Sequence, residues 1–354
     1  DTAVITLKTP TSNLLWTLTG RAGLVFDKDA KYDLKTQAVG SGPYTVAKFV
    51  ENSSITLKAN EKYWGKNKAK TPTVVVKYLA DDNAAVNALK SGDVLAPITE
   101  NLAEPFKSDS AKYTVKAGNG TDKFVLGFNN ASGSKLADKR IRQAIRYAIN
   151  HKELIASRGG ADKALGGPIP SLDPGYEDLT NLYPYDQNKA KSLMAEAGYS
   201  TDKPLQLTLT YANIYGTELG DQLRSQLKPL GIDLKVNVVE FSTWLQDVYT
   251  NHTFDISLVD HNESHDFASW TDPTYYFGYD NKNVTKLCNE GVAATSDKER
   301  DAKFAAAAKL VSEDAPADWL FNYRITTATA KGVEGFPFDL NQTVLPLYNV
   351  TYTK

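Results

Sequence analysis

Residues 260–277 read DHNESHDFASWTDPTYYF. They hold two of the chain's four histidines, His261 and His265, with Asp260, Glu263 and Asp266 beside them. Imidazoles four apart share one face of a helix, a spacing that suits a metal. A zinc-protease helix, however, needs Glu immediately after the first His or immediately before the second, and Glu263 sits midway. Asp272-Pro273 also disfavours a helix through the segment. Three chemistries are thus open to these residues. They form the wall of a ligand pocket, or a metal or metal-chelate site on His261 and His265 with Glu263 and Asp266 in support, or a hydrolase centre on the carboxylates of Glu263 and Asp266.

Other catalytic constellations are missing. There is no G-x-S-x-G elbow, and Cys288 lies in KLCNEG with no nearby histidine, which reads as a buried, inert thiol. Gly40-Ser41-Gly42 runs straight into Pro43-Tyr44, so it is no phosphate cradle. LKANEKYWGKNKAK interleaves Tyr63 and Trp64 with lysines, but 40 basic against 42 acidic residues make a solvated turn the better reading than a nucleic-acid patch. No cofactor and no enzymatic activity is expected. An aromatic and polar mixture such as Phe267, Trp270, Tyr275, Tyr276 and Phe277 fits a pocket wall with core packing beneath it. The last three of these are assigned to the core.

The elements that position this segment follow from periodicity. Ile5-Thr6-Leu7 alternates as a strand until Pro10. Tyr44–Phe49 and Ser54–Lys58 form a hairpin, and Val74-Val75-Val76 suits a strand covered on both faces. Asp81 or Asp82 caps a helix that stops at Gly92. Phe124–Phe128 is an apolar strand. In DKRIRQAIRYAINHKELI, Ile141, Ala144, Ile145, Ala148 and Ile149 make one helical stripe with the charges opposite. Asp186 opens a helix closed by Gly198. Strands at 205–211, 232–239 and 254–259 enclose a helix over 219–230. Interleaved helices and strands argue an α/β architecture, and the length allows two cores. One cysteine excludes an internal disulfide and a cysteine-based zinc cluster. A net charge of -2 gives no general pull towards nucleic acid or anionic lipid.

VGSGPYTVAKFVENSSITLKANEKYWG resembles the most recognisable signature of the dipeptide and oligopeptide binding proteins that serve bacterial ABC transporters (extracellular solute-binding proteins of family 5). VNALKSGDV, LGFNNASGSKLADKRIRQAIRYAINHKELI, YPYDQNKAKSLMAEAGY and FDISLVD follow in the family's order and spacing. The resemblance implies a two-lobed α/β fold of the periplasmic-binding-protein type (type II), with mixed sheets and two crossing strands. It also implies a small peptide or peptide-like ligand held in the cleft between lobes, permease subunits as partners, and an extracytoplasmic location. Residues 1–36 would be the remnant of a small accessory domain, 37–129 with 325–354 an incomplete first lobe, and 130–324 the second.

The crossings would be Phe124–Asn130 and Leu320–Arg324, with Asn129 and Asn130 as hinge groups. Expected ligand contacts are His261, Glu263, His265, Asp266, Phe267 and Trp270, then Asn322 and Tyr323 from the second crossing. Family members carry a longer N-terminal portion, so a secretion leader and any lipid-anchoring cysteine would precede this chain. Peptide-binding members also place an aspartate three residues before the Asp-Pro step to pair with the ligand's ammonium; here that position is Ser269.

Overall fold

The computed structural model describes residues 2–33, 35–79, 81–96, 104–340 and 345–353. In chain order the strands are β1 (Tyr44–Val50), β2 (Ser54–Ala59), β3 (Thr73–Lys77), β4 (Tyr113–Ala117) and β5 (Lys123–Phe128). They continue as β6 (Leu205–Ala212), β7 (Ile232–Val239), β8 (Ile256–His261), β9 (Ala317–Asn322) and β10 (Thr326–Ala330). The chain folds as two units, one made of Asp1–Thr17 and Thr121–Tyr323, the other of Leu18–Gly120 and Arg324–Lys354.

In the second of these units, β1, β2 and β3 form an antiparallel sheet and β4 pairs with β10. The expected hairpin is present. Exposure alternates along β3, with Val75 52% exposed, so one face of this strand meets solvent rather than both being covered. Asp81 accepts a hydrogen bond from the Ala84 amide at 2.8 Å, and Gly92 ends the helix in the left-handed region at φ 79°. Both ends were legible because caps satisfy amides and carbonyls that a helix leaves unpaired.

The other unit is built on a mixed sheet in the order β7-β6-β8-β5-β9. β6 is parallel to both β7 and β8, while β5 is antiparallel to β8 and β9. All six positions of β5 are buried, as are all six of β9. That explains why Phe124–Phe128 belongs to this sheet and not to a crossing. The chain changes units at 120/121, ahead of the expected first crossing, at 323/324, within the expected Leu320–Arg324, and a third time at 17/18. Residues 1–17 thus group with the unit that holds β5, and 18–36, the rest of the stretch expected to be an accessory remnant, with the other. The Ser12 amide donates to Val292 O at 2.7 Å and its hydroxyl to Gly291 O at 2.9 Å. Ile5-Thr6-Leu7 forms no strand, and Ile5 is 56% exposed: alternation makes a strand only where another strand supplies the ladder.

The long amphipathic run divides into Lys139–Ala148 and His151–Ser157. Asn150 opens the second helix, its side chain accepting from the Glu153 amide at 3.3 Å. Two of the charges expected to face solvent are buried. Arg142 donates to the carbonyls of Ala315, Leu136, Ala137 and Asp314. Arg146 lies with its guanidinium 4.2 Å from the Tyr183 ring and 5.2 Å from Trp319, and pairs with Asp318 at 3.2 Å. Asp318 also takes His151 Nε2 at 2.9 Å. Long cationic side chains can cross an apolar layer when every N–H finds an acceptor, which periodicity does not register.

Candidate ligand-binding site

β8 carries the 260–277 segment out of the sheet. After His261 the chain is irregular, His265 takes a left-handed conformation at φ 60°, and Asp266–Thr271 forms a 3-10 helix. Asp173 imposes this path. Its carboxylate accepts the His265 amide at 2.8 Å and also the Ser264 hydroxyl. The expected loop is therefore real, and it is held rather than free.

The two histidines face different partners. His261 Nε2 lies 2.9 Å from the Tyr276 hydroxyl, with the rings 8° from parallel. Burial, reinforced by the Lys123 charge, pushes the His261 pKa down to about 3, so its imidazole is neutral at any physiological pH. His265 stacks on Trp16 at 3.9 Å between ring centroids, and its Nδ1 is 2.8 Å from Ser264 Oγ. Burial lowers the His265 pKa, against the opposing pull of Asp173. Among the described residues no group of three or more His, Cys, Asp or Glu is placed to hold a metal. The metal-chelate alternative therefore loses its discriminating feature: a pair on one helical face becomes two rings committed to Tyr276 and Trp16.

The carboxylate alternative fares no better. Glu263 is exposed, and only its backbone carbonyl enters the cluster, accepting from Lys123 Nζ at 2.7 Å. Asp266 pairs with Lys123 at 3.3 Å. Lys123 is 2% exposed and donates further to Thr121 O at 3.0 Å. Burial raises the Asp266 pKa from 3.8 to about 6 and outweighs the lowering by Lys123.

The Asp266 shift has a definite sign. A folded-state pKa above the unfolded value adds stability below about pH 4, and that contribution disappears as pH rises through about 6. Two units correspond to on the order of 2–3 kcal/mol. Urea unfolding of wild type and Asp266→Asn between pH 4 and 7 should show wild type gaining on the variant by roughly this amount as pH falls. A constant difference across the range would refute the assignment.

The aromatic half of the segment is core. Trp270 is 5% exposed, lies on Phe277 at 4.6 Å and 11°, and meets Trp319 at 5.3 Å. It is therefore not a pocket wall. Its indole fills the layer beneath the 3-10 helix together with Tyr276 and Phe277, which were assigned to the core. A Cβ at Gly127 of β5 would stand 2.4 Å from the Phe277 ring, so glycine makes room for that ring. Phe267 is likewise 5% exposed and belongs to the same core; with Cys288 and Phe304 it walls a cavity of about 30 Å³. Burial pushes the Cys288 thiol up to about 11, in keeping with an inert group.

Asn322 and Tyr323 do lie at this end of the sheet, since Lys123 is in register with His261 on one side and Asn322 on the other. Asn322 is spent internally: its amide group donates to Asp122 O at 2.8 Å, and its backbone exchanges two hydrogen bonds with Lys163. Tyr323 packs on Phe124 at 5.8 Å, and the Arg158 guanidinium lies over Phe321, Phe124 and Tyr323 at 4.6, 5.2 and 5.4 Å. Asn129 and Asn130 are not at a change of units. They follow the opposite end of β5, where Asn129 donates to His252 O and Phe254 O, and Asn130 to Phe128 O, Phe277 O and Pro316 O.

Sequence reasoning missed Trp16, Lys123, Arg158 and Asp173. Lys123 alone carried a signal, a lysine at the head of the apolar run KFVLGF, where burial demands a counter-charge. Lys123, His261, the Glu263 carbonyl, His265 and Asp266 thus form a polar array with partners within the protein.

The bacterial extracellular solute-binding proteins, family 5 (middle region), match residues 1–284. The probable D,D-dipeptide-binding periplasmic protein DdpA of Escherichia coli K12 is 27% identical over 374 residues, covering 96% of this chain and 69% of that protein. The substrate binding protein CtaP of Listeria monocytogenes superposes with a TM-score of 0.79 at 21% identity, covering 92% of this chain and 69% of its own. DppA of Helicobacter pylori in complex with peptide STSA gives 0.69 at 22% identity, covering 89% and 63%. The chain thus spans between 63% and 69% of these relatives' lengths. The structural likeness shows a periplasmic-binding-protein fold with mixed sheets, as the sequence implied.

Proposed function

The chain belongs to the bacterial extracellular solute-binding proteins of family 5, and from that membership we propose that it is part of the extracytoplasmic receptor of an ABC importer. In this reading it captures a small peptide or peptide-like ligand and hands it unaltered to permease subunits. The observation that carries the proposal is the match over residues 1–284, which includes the whole 260–277 segment. Relatives with peptide names and a solved peptide complex support the ligand class. The ion pair of Asp266 with Lys123 and the engagement of Asp173 by the His265 amide support binding without bond making or breaking. Ligand contacts are assigned to the 260–266 stretch, with Glu263 exposed, His261, His265 and Asp266 partly covered, and Asn322 and Tyr323 as neighbours.

Calorimetry against a panel of blocked and unblocked tripeptides, with mass spectrometry of the recovered compounds, tests this. Binding in the micromolar range, about −8 kcal/mol, with every compound recovered intact is the expected result. Cleavage of any member, or no heat from the whole panel, would count against the proposal.

A further inference from the structure

Tryptophan is a large side chain that seldom leaves most of its surface in water. Trp244, Trp270 and Trp319 are buried, and Trp16 is covered by the His265 ring. Trp64 is 85% exposed, and its one ring neighbour among the described residues is Tyr63, tilted at 6.4 Å. It sits in the turn after β2, in the unit that holds the β1-β2-β3 sheet. That turn is pinned. The Asn60 amide donates to Pro43 O at 2.8 Å, and the Asn60 side chain to Gly42 O at 2.9 Å. The Tyr63 amide closes back on Asn60 O at 3.0 Å, and the Lys70 amide donates to Tyr348 O at 2.9 Å. A Cβ at Gly65 would collide with the Tyr63 ring, so glycine lets that ring lie against the chain.

Residues 58–70 hold five lysines and one acid, Glu61, a local charge of +4 that the net charge of -2 averages away. Beyond Glu61 exposure alternates. Lys62, Trp64, Lys66, Lys68 and Lys70 are exposed, while Tyr63, Gly65, Asn67 and Ala69 are half-buried. None of these four lysines is ion-paired among the described residues, and the turn's hydrogen-bond partners Gly42, Pro43 and Tyr348 bring no acid. A solvated turn accounts for the lysines but not for a bare indole held among them. The boundary of an anionic bilayer satisfies both, since the indole settles at headgroup depth and the ammonium groups meet the headgroup charges. A single strand of nucleic acid is gripped by successive stacking rings, and here one ring is open while Tyr63 is half-buried.

We propose that the turn at 60–70 is a membrane-docking surface, with Trp64 entering the headgroup layer of an anionic phospholipid bilayer and the lysines resting on its charge. The contact is peripheral and weakened by salt, because exposed charges are screened. It does not depend on which solute the chain carries.

Cosedimentation of the chain with phosphatidylcholine vesicles that contain or lack phosphatidylglycerol tests this. At low ionic strength the partition coefficient should be at least tenfold higher on the anionic vesicles. Each lysine near such a surface contributes about fivefold, so the double variant Lys66→Gln/Lys68→Gln should bind roughly twentyfold more weakly. Both positions are exposed, so its thermal unfolding midpoint should match wild type. Equal partitioning on the two vesicle types, or a double variant that binds as wild type does, overturns the inference. So does tight binding of a single-stranded oligonucleotide without binding to vesicles.

Insertion has its own readout. Brominated acyl chains in the anionic vesicles should quench the tryptophan emission of bound wild type. Trp64→Phe keeps an apolar ring for docking and should lose most of that quenching. Quenching that persists in Trp64→Phe puts a different indole at the bilayer and overturns the assignment to this turn.

Discussion

Replacing Asp318 by alanine should destabilise the chain by about 3–5 kcal/mol, the usual cost of removing one partner from a buried ion pair. Asp318 is 1% and Arg146 2% exposed, so neither reaches water when the other is lost. Arg146 would keep Ser312 O at 2.6 Å and Gly166 O at 3.1 Å but lose its anionic partner, while lying between Tyr183 and Trp319. His151 would lose its 2.9 Å acceptor as well. Asp318→Asn should cost less, because an amide oxygen still accepts a hydrogen bond. The measurement is urea unfolding at pH 7, read as a lower midpoint with an unchanged slope.

The pH dependence of that loss follows from Asp318 itself. Burial pushes its pKa up, but His151 and Arg146 together outweigh burial and hold it below the ordinary carboxylate value. A depressed carboxylate stabilises above its unfolded pKa of about 4, and the contribution is lost as pH falls through the folded value. The gap between wild type and Asp318→Ala should accordingly be complete at neutral pH and shrink under acid. A gap that stays constant below pH 4 would disprove the pairing as the source of the stability.

Trp270→Ala should cost a similar amount, about 3–5 kcal/mol, through lost burial and an unfilled space. The ring is stacked on Phe277, tilted against Trp319 and edge-on to Tyr279, so truncation uncovers several aromatic rings at once. Collapse into the gap is hindered, because Phe277 is already set against Gly127 of β5. Trp270→Phe retains the stack and should recover more than half of the loss in thermal unfolding. A Trp270→Ala protein as stable as wild type, yet deficient in ligand binding, would return this residue to the pocket wall.

Local signals predicted local structure well. Asp81, Asp186 and Gly92 marked helix ends because capping chemistry is written within four residues. The family signature placed the fold and directed attention to 260–266. Side-chain roles were harder to read because they depend on partners distant in sequence. Trp270 and Trp16 look alike as sequence, yet one enters a core assembled from β5 and β9 while the other covers His265. Arg146 follows the charged pattern of a solvated helix face, and only a partner 172 residues away explains its burial. Strand alternation likewise misled at Ile5–Leu7, where no neighbouring strand closes the ladder.

The order β7-β6-β8-β5-β9 also bears on how the molecule is made. β5 has both long edges occupied, yet its neighbours β8 and β9 are encoded far downstream of it. At typical translation speeds the gap between β5 and β9 corresponds to on the order of ten seconds or more. Until β8 is made a hydrophobic ribbon has emerged with neither neighbour, and until β9 is made one of its edges stays open. The central sheet of this unit therefore closes late relative to the synthesis of its most buried strand.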